Sequence, residues 1–191
     1  MSSSENSPKD REARSRNTTR IASLVIMTAV TAVFTFMIRI PIAPTRGYLN
    51  LGDVAIFFSA LIFGPWTALI SGGLGTALAD IVSGYSQWAP LTFFAHGLQG
   101  LAAGILFHRI AGPEARLGQR RTTTGLVLAF LAGTVIMAGL YFAAGAFMFG
   151  PGAALVEVPG NILQNVAGIV AGTLLWSAVK RAYPPVTRYR W

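Results

Sequence analysis

Apolar residues in this chain run in long, nearly unbroken blocks rather than alternating or recurring on one face of short helices. Six blocks stand out, at 21–38, 51–63, 66–82, 90–107, 125–148 and 159–179. At about 1.5 Å per residue, a block of about 20 residues crosses the hydrocarbon core of a bilayer. Helix breakers separate the blocks: Arg39, Pro41 and Pro44, then Gly64 and Pro65, then an aromatic loop at 84–89, and finally the run "FGPG" from Phe149. A charged loop parts the fourth block from the fifth. The second block is too short to cross alone unless residues 47–50 contribute or the bilayer thins. The first follows a run of cations, as a signal peptide would. It exceeds the usual apolar core of about 7–15 residues and no small-residue cleavage site follows, so it reads as a retained helix. The pattern predicts an all-α, six-helix membrane bundle.

Charge placement orients that bundle. Only 12% of residues are charged and 53% are hydrophobic, about half the charge expected of a soluble domain. Of fifteen Lys and Arg residues, only Arg39 and Arg46 fall on one side of the predicted membrane. The rest lie before the first block (Lys9, Arg11, Arg14, Arg16, Arg20), in the 109–121 loop (Arg109, Arg116, Arg120, Arg121), or after the sixth (Lys180, Arg181, Arg188, Arg190). Basic flanks stay inside, which predicts that both termini are cytoplasmic. The net charge of +8 is therefore a membrane-flank signature and argues against a nucleic-acid partner. Residues 1–19 are expected to form a disordered basic tail, 20–182 the membrane domain and 183–191 a second basic tail.

Polar residues inside the blocks are costly in lipid and report on function. Nearly all of them fall in the outer half: Asp53, Asp80, Tyr85, Gln87, Trp88, His96, Gln99, Tyr141, Asn161, Gln164 and Asn165. A pump or channel strings polar groups through the whole thickness. A cup open to the outside and sealed by apolar packing below needs this asymmetry instead. Tyr48, Tyr85 and Trp88 suit stacking on a planar ring, while Asn50, Asp53, His96, Asn161, Gln164 and Asn165 can orient it. Plainer readings stand beside these. Asp53 fits a helix cap, Tyr85 and Trp88 fit an interfacial aromatic belt, and Asn161 and Asn165 at i, i+4 fit a helix–helix contact. Glu157 fits a solvated loop. Asp80 sits at a helix C-terminus, where neither capping nor the dipole favours an anion, and its plain reading is an ion pair with Arg39 or Arg46.

Several chemistries are excluded. The only lysines, Lys9 and Lys180, are not preceded by glycine, so no Walker A loop exists. There is no cysteine, and His96 and His108 fall at opposite ends of one block, so no metal site or cofactor is expected. Nothing resembles H-E-x-x-H or G-x-S-x-G, and no enzyme reading is supported. The GxxxG matches at Gly100/Gly104 and Gly168/Gly172 read as packing signals.

The stretches "GYLNLGD" (47–53), "ALIFGPW" (60–66), "GGLGTALADIVSGYSQWAP" (72–90) and "HGLQG" (96–100) together resemble the substrate-binding S components of energy-coupling factor (ECF) transporters, nearest the members for hydroxymethylpyrimidine or pyridoxine. The strong part spans about residues 38–104. The resemblance implies a prokaryotic plasma-membrane protein that captures a small planar vitamin from outside. It implies partners too: a transmembrane scaffold subunit and two ATPases. A lid at 40–50 carrying Arg46 would close the cup, and the Thr28/Ala32 face of the first helix would meet the scaffold. Many relatives carry lysine where this chain has His96, and a small residue at Arg46. Other readings of the same residues are a self-sufficient carrier that uses Asp80 and His96 to move protons, and a structural membrane protein.

Overall fold

A computed structural model describes residues 7–190. Among these it contains six long or buried α-helices: α1 (Pro8–Met37), α2 (Gly52–Ile62), α3 (Pro65–Val82), α4 (Ala89–Ala111), α5 (Arg120–Phe149) and α6 (Pro151–Ala182). A short 3₁₀ turn (Pro184–Tyr189) packs back between α1 and α6. Four helices are long and apolar enough to span a membrane: those ending at Met37, Ala111, Phe149 and Ala182. Their outward faces carry Val25, Val33, Val135, Phe147 and Leu163, each more than half exposed. An apolar coat of this extent needs lipid against it.

Three local expectations are corrected. The chain is not purely helical, because the 40–50 segment forms an antiparallel hairpin, β1 (Arg39–Ile42) and β2 (Gly47–Asn50), paired from Arg39↔Asn50 to Ile42↔Gly47. Arg46 closes its turn with φ 54°, in the left-handed region that side-chain-bearing residues rarely occupy. Second, α1 reaches back to Pro8, into the segment expected to be a disordered tail. Ser7 caps it by accepting from the Asp10 amide, Pro8 suits the first turn, and Glu12 pairs with Arg16 one turn on. Residues 1–6 of that tail, and Trp191 of the other, lie outside the described residues. Third, α6 starts at Pro151, not at 159. Gly150 (φ 89°) alone joins α5 to α6, and Pro159 sits inside the helix. Its missing amide leaves one carbonyl unbonded, which a long packed helix tolerates.

Helix α2 shows why a short block belongs in the bundle. Ten of its eleven residues are buried, so it is apolar all round and has no lipid face. Glycines let its neighbours close in: a Cβ on Gly168 would lie 2.6 Å from the Asp53 Cβ, and one on Gly172 would lie 3.0 Å from Phe57. The GxxxG pair of α6 is thus a seat for α2. Gly100 and Gly104 of α4 serve α3 in the same way, meeting Ala68 and Pro65. The apolar core lies at the end of the bundle where α1 begins and α6 ends, around Phe57, Leu61, Phe107 and Trp176. Polar side chains fill the opposite end, beneath the hairpin.

Candidate functional site

Under the hairpin lies a cavity of about 20 Å³, lined by Ile42, Gly47, Tyr48 and Asn50 from the hairpin and by Asp80, Trp88, Thr92, His96, Tyr141, Glu157, Asn161 and Gln164 from α3–α6 and the loop before α4. That volume holds about one water molecule. The hairpin forms one wall of this chamber, and the side chains around it leave little free space.

Four side-chain contacts hold it down. The Tyr48 phenol donates to Asp80 Oδ1 at 2.5 Å, Thr45 donates to Glu157, the Trp88 indole N–H donates to the Arg46 carbonyl at 3.3 Å, and Gln164 Oε1 accepts from the Asn50 amide at 2.8 Å. Gly47 permits the α6 contact, since a Cβ there would lie 2.6 Å from Glu157 Oε1. Burial, then the charge and hydrogen bond of Asp80, raises the Tyr48 phenol well above its usual range, so it remains a donor. Asp80 therefore has a partner that its own helix could not provide. Among the described residues it forms no ion pair with Arg39 or Arg46, and the Arg39 guanidinium lies over the Phe36 ring instead.

A second layer orients the chamber from behind. Asn165 donates to the Asn161 backbone carbonyl at 3.0 Å, which turns its Oδ1 toward Gln99 Nε2 at 2.8 Å. Gln99 then presents Oε1 to His96 Nδ1 at 2.8 Å. A peptide carbonyl cannot donate, so each amide in the chain has only one orientation. It follows that His96 carries its proton on Nδ1 in the neutral form. In that neutral form Nε2 carries the ring's lone pair. Asp53 Oδ1 lies 3.1 Å from the same Nδ1 and reinforces this tautomer, while Asp53 Oδ2 accepts from Gln164 at 3.2 Å.

The sequence-based candidates thus separate by depth. Tyr48, Asn50, Asp80, Trp88, His96, Asn161 and Gln164 meet at the chamber. Asp53 and Asn165 stand one layer behind it. Asp53 is not the α2 cap: the cap position is Leu51, and Asn50 Oδ1 accepts from the Gly52 amide. Tyr85 lies outside and tilts against Tyr48 with ring centroids 4.7 Å apart. Arg46 contributes its carbonyl, and its exposed side chain is not among the residues lining the chamber. Thr28 and Ala32 are half-buried on a flank of α1 whose Thr31 side packs on Gly75 of α3. Glu157, expected in a solvated loop, is buried on α6 and faces Thr45. Thr92 and Tyr141 enter the wall as a hydrogen-bonded pair 2.7 Å apart. Tyr141 is one of the outer-half polar residues, but nothing in the sequence around Thr92 singles it out.

The sequence profile of the family described as ECF-type riboflavin transporter, S component, matches residues 15–181. The chain belongs to this ECF S-component family. It is the substrate-binding part of an ECF-type vitamin uptake system. This S component is 30% identical over 167 residues to the thiamine precursor transporter HmpT of Lactococcus lactis subsp. cremoris, covering 87% of this chain and 90% of that protein. It is 35% identical over 154 residues to an uncharacterised protein of Pyrococcus woesei, covering 81% and 97%. A solved structure described as the S component of a bacterial ECF transporter superposes with a TM-score of 0.60 at 20% identity, over 88% of this chain and 96% of that one. The fold is shared with that protein.

Proposed function

We propose that this S component captures a single-ring heteroaromatic vitamin precursor of the thiamine-precursor class from the outer face of a prokaryotic plasma membrane. One observation carries the reading: an acceptor and a donor without hydrogen-bond partners belong to side chains that line one ring-walled chamber. Asp80 Oδ2 and Asn161 Nδ2 are buried and unpaired, and the His96 ring lines the same chamber. Leaving a buried polar atom unpaired costs about 1–3 kcal/mol, which a complementary ligand returns. An aminopyrimidine bearing a hydroxymethyl group offers an amine and a hydroxyl as donors and a ring nitrogen as acceptor. Tyr48, Trp88 and Tyr141 supply ring faces. The HmpT relative supports this class.

In this reading the bundle crosses the membrane six times with both termini inside, as the placement of cations supports. The hairpin is the outer lid. Tyr48 and Tyr85 close it, and Asp53, Gln164 and Asn165 hold the binding groups in register. Uphill uptake needs energy that this chain cannot draw from ATP, so a scaffold subunit and two ATPases complete the system. We place the scaffold contact on the α1 flank carrying Thr28 and Ala32.

Native mass spectrometry of the purified chain tests the substrate. Hydroxymethyl-aminopyrimidine is expected to bind, riboflavin is not, and His96→Phe is expected to lose about tenfold or more in affinity. Retention of riboflavin with indifference to the pyrimidine refutes the reading. Uptake by cells that contain this chain and lack scaffold and ATPases would refute the need for partners.

A further inference from the structure

At the opposite end of the bundle, a cavity of about 560 Å³ opens between the 112–119 loop and the end of α6. Its lining includes Arg116, Lys180 and Arg181 against one acid, Glu114, with Ser177 and Thr187 as hydroxyl donors. The site is built rather than incidental. Lys180 Nζ donates to the Ala115 carbonyl at 2.7 Å and the Pro113 carbonyl at 3.3 Å, tying the loop to α6, and it lies 5.5 Å from the Trp176 ring centre. The Arg116 amide donates to Gln119 and Thr122, which fixes the other side of the loop. Among the described residues, no carboxylate or hydrogen-bond acceptor meets the guanidinium of Arg116 or Arg181.

Directly adjoining this cavity is an apolar groove of about 360 Å³ between α5 and α6, lined by Leu126, Phe130, Val170 and Leu174. Leu117 belongs to both linings, so cationic pocket and groove form one continuous surface. A free anion has no use for the groove, and an apolar chain has none for the cations. One molecule uses both. We propose that this surface is a binding site for a single anionic glycerophospholipid, its phosphate held by Arg116 and Arg181, its hydroxylated headgroup near Ser177 and Thr187, and one acyl chain along the α5/α6 groove. The site is remote from the vitamin chamber and does not depend on the identity of the vitamin.

The test is native mass spectrometry of the full chain in mild detergent, titrated with phosphatidylglycerol or with phosphatidylcholine of the same acyl chains. A basic residue at an anionic lipid contributes about fivefold in affinity, so the double variant Arg116→Gln/Arg181→Gln is expected to lose about 25-fold for phosphatidylglycerol and little for phosphatidylcholine. Val170→Trp, which fills the groove, is expected to weaken both lipids. Lys9→Gln/Arg11→Gln removes the same charge elsewhere and is expected to change neither. Several results would overturn the proposal: equal binding of the two lipids by the unsubstituted chain, an equal loss in the Lys9/Arg11 variant, or full displacement of the lipid by glycerol phosphate, which would leave the groove no part. So would pocket variants that keep lipid binding and lose assembly with the ATPase module, since the surface would then be a protein-docking face.

Discussion

Gln164 joins three elements through one amide, and removing that amide is expected to loosen the lid without touching it. Its Oε1 accepts from the Asn50 amide at the end of β2, and its Nε2 donates to Asp53 at the start of α2. Gln164→Leu keeps the approximate volume and deletes both bonds. The Asn50 amide then lacks its acceptor, at a cost of about 1–3 kcal/mol, and buried Asp53 loses a hydrogen bond of the charged type, about 1.5–3 kcal/mol. The two losses share neighbours and do not simply add, so a total of about 2–4 kcal/mol is expected. Hydrogen exchange reads the first loss directly, because an amide that opens 1–3 kcal/mol more easily exchanges about 5- to 150-fold faster. Thermal unfolding reads the sum. Asp53→Asn keeps the Asn50 bond and is expected to leave the exchange of that amide within a few-fold of the parent. If Gln164→Leu leaves both Asn50 exchange and the unfolding temperature unchanged, the strut does not hold the lid.

Gly168→Ala is expected to destabilise by about 1–3 kcal/mol in thermal unfolding, because its Cβ meets Asp53 backbone that cannot yield, whereas Gly139→Ala, with no atom within 4 Å, is expected to be neutral or slightly stabilising. Gly47→Ala drives a methyl toward Glu157 and is expected to raise proteolytic cleavage of the hairpin; pairing it with Glu157→Ala is expected to restore part of the protection. The Tyr48 phenol is held above its ordinary value of 10.0, so its contribution to stability is fully present below that pH and is lost as pH rises beyond it. Unfolding followed from pH 8 to 11 is expected to show a shallower decline for Tyr48→Phe than for the parent, and parallel profiles would contradict this.

Apolar block length carried the helices, because it follows from the cost of polar groups in lipid. The boundaries at 50–65 were legible from Gly64 and Pro65, which end α2 and start α3. The hairpin was not: four-residue strands bearing Pro41 and flanking Pro44 leave a signal no different from a loop, and pairing with each other creates the strands. The start of α6 was hidden because Pro159 and the adjacent glycines read as breakers, while packing against α2 and the lid overrides local propensity there. Glu157 was misplaced with it. For the site, residue type marked the polar end of the bundle, since Asp80, His96, Asn161 and Gln164 do meet at one chamber. Depth was beyond it. Which of Asp53 and His96 faces inward depends on the rotation of α2 and α4, and those helices are apolar or packed nearly all round.

The amide chain behind His96 also has a direction. It starts at a peptide oxygen of α6 and ends at Nδ1 of His96, so the tautomer of that ring is written in the backbone and only transmitted by side chains. A substitution elsewhere on the chamber wall that keeps His96 leaves that tautomer intact. Inverting it requires a change at residue 99 or 165, neither of which lines the chamber. Divergence toward guests with the opposite donor–acceptor pattern would therefore leave its record behind the wall rather than on it.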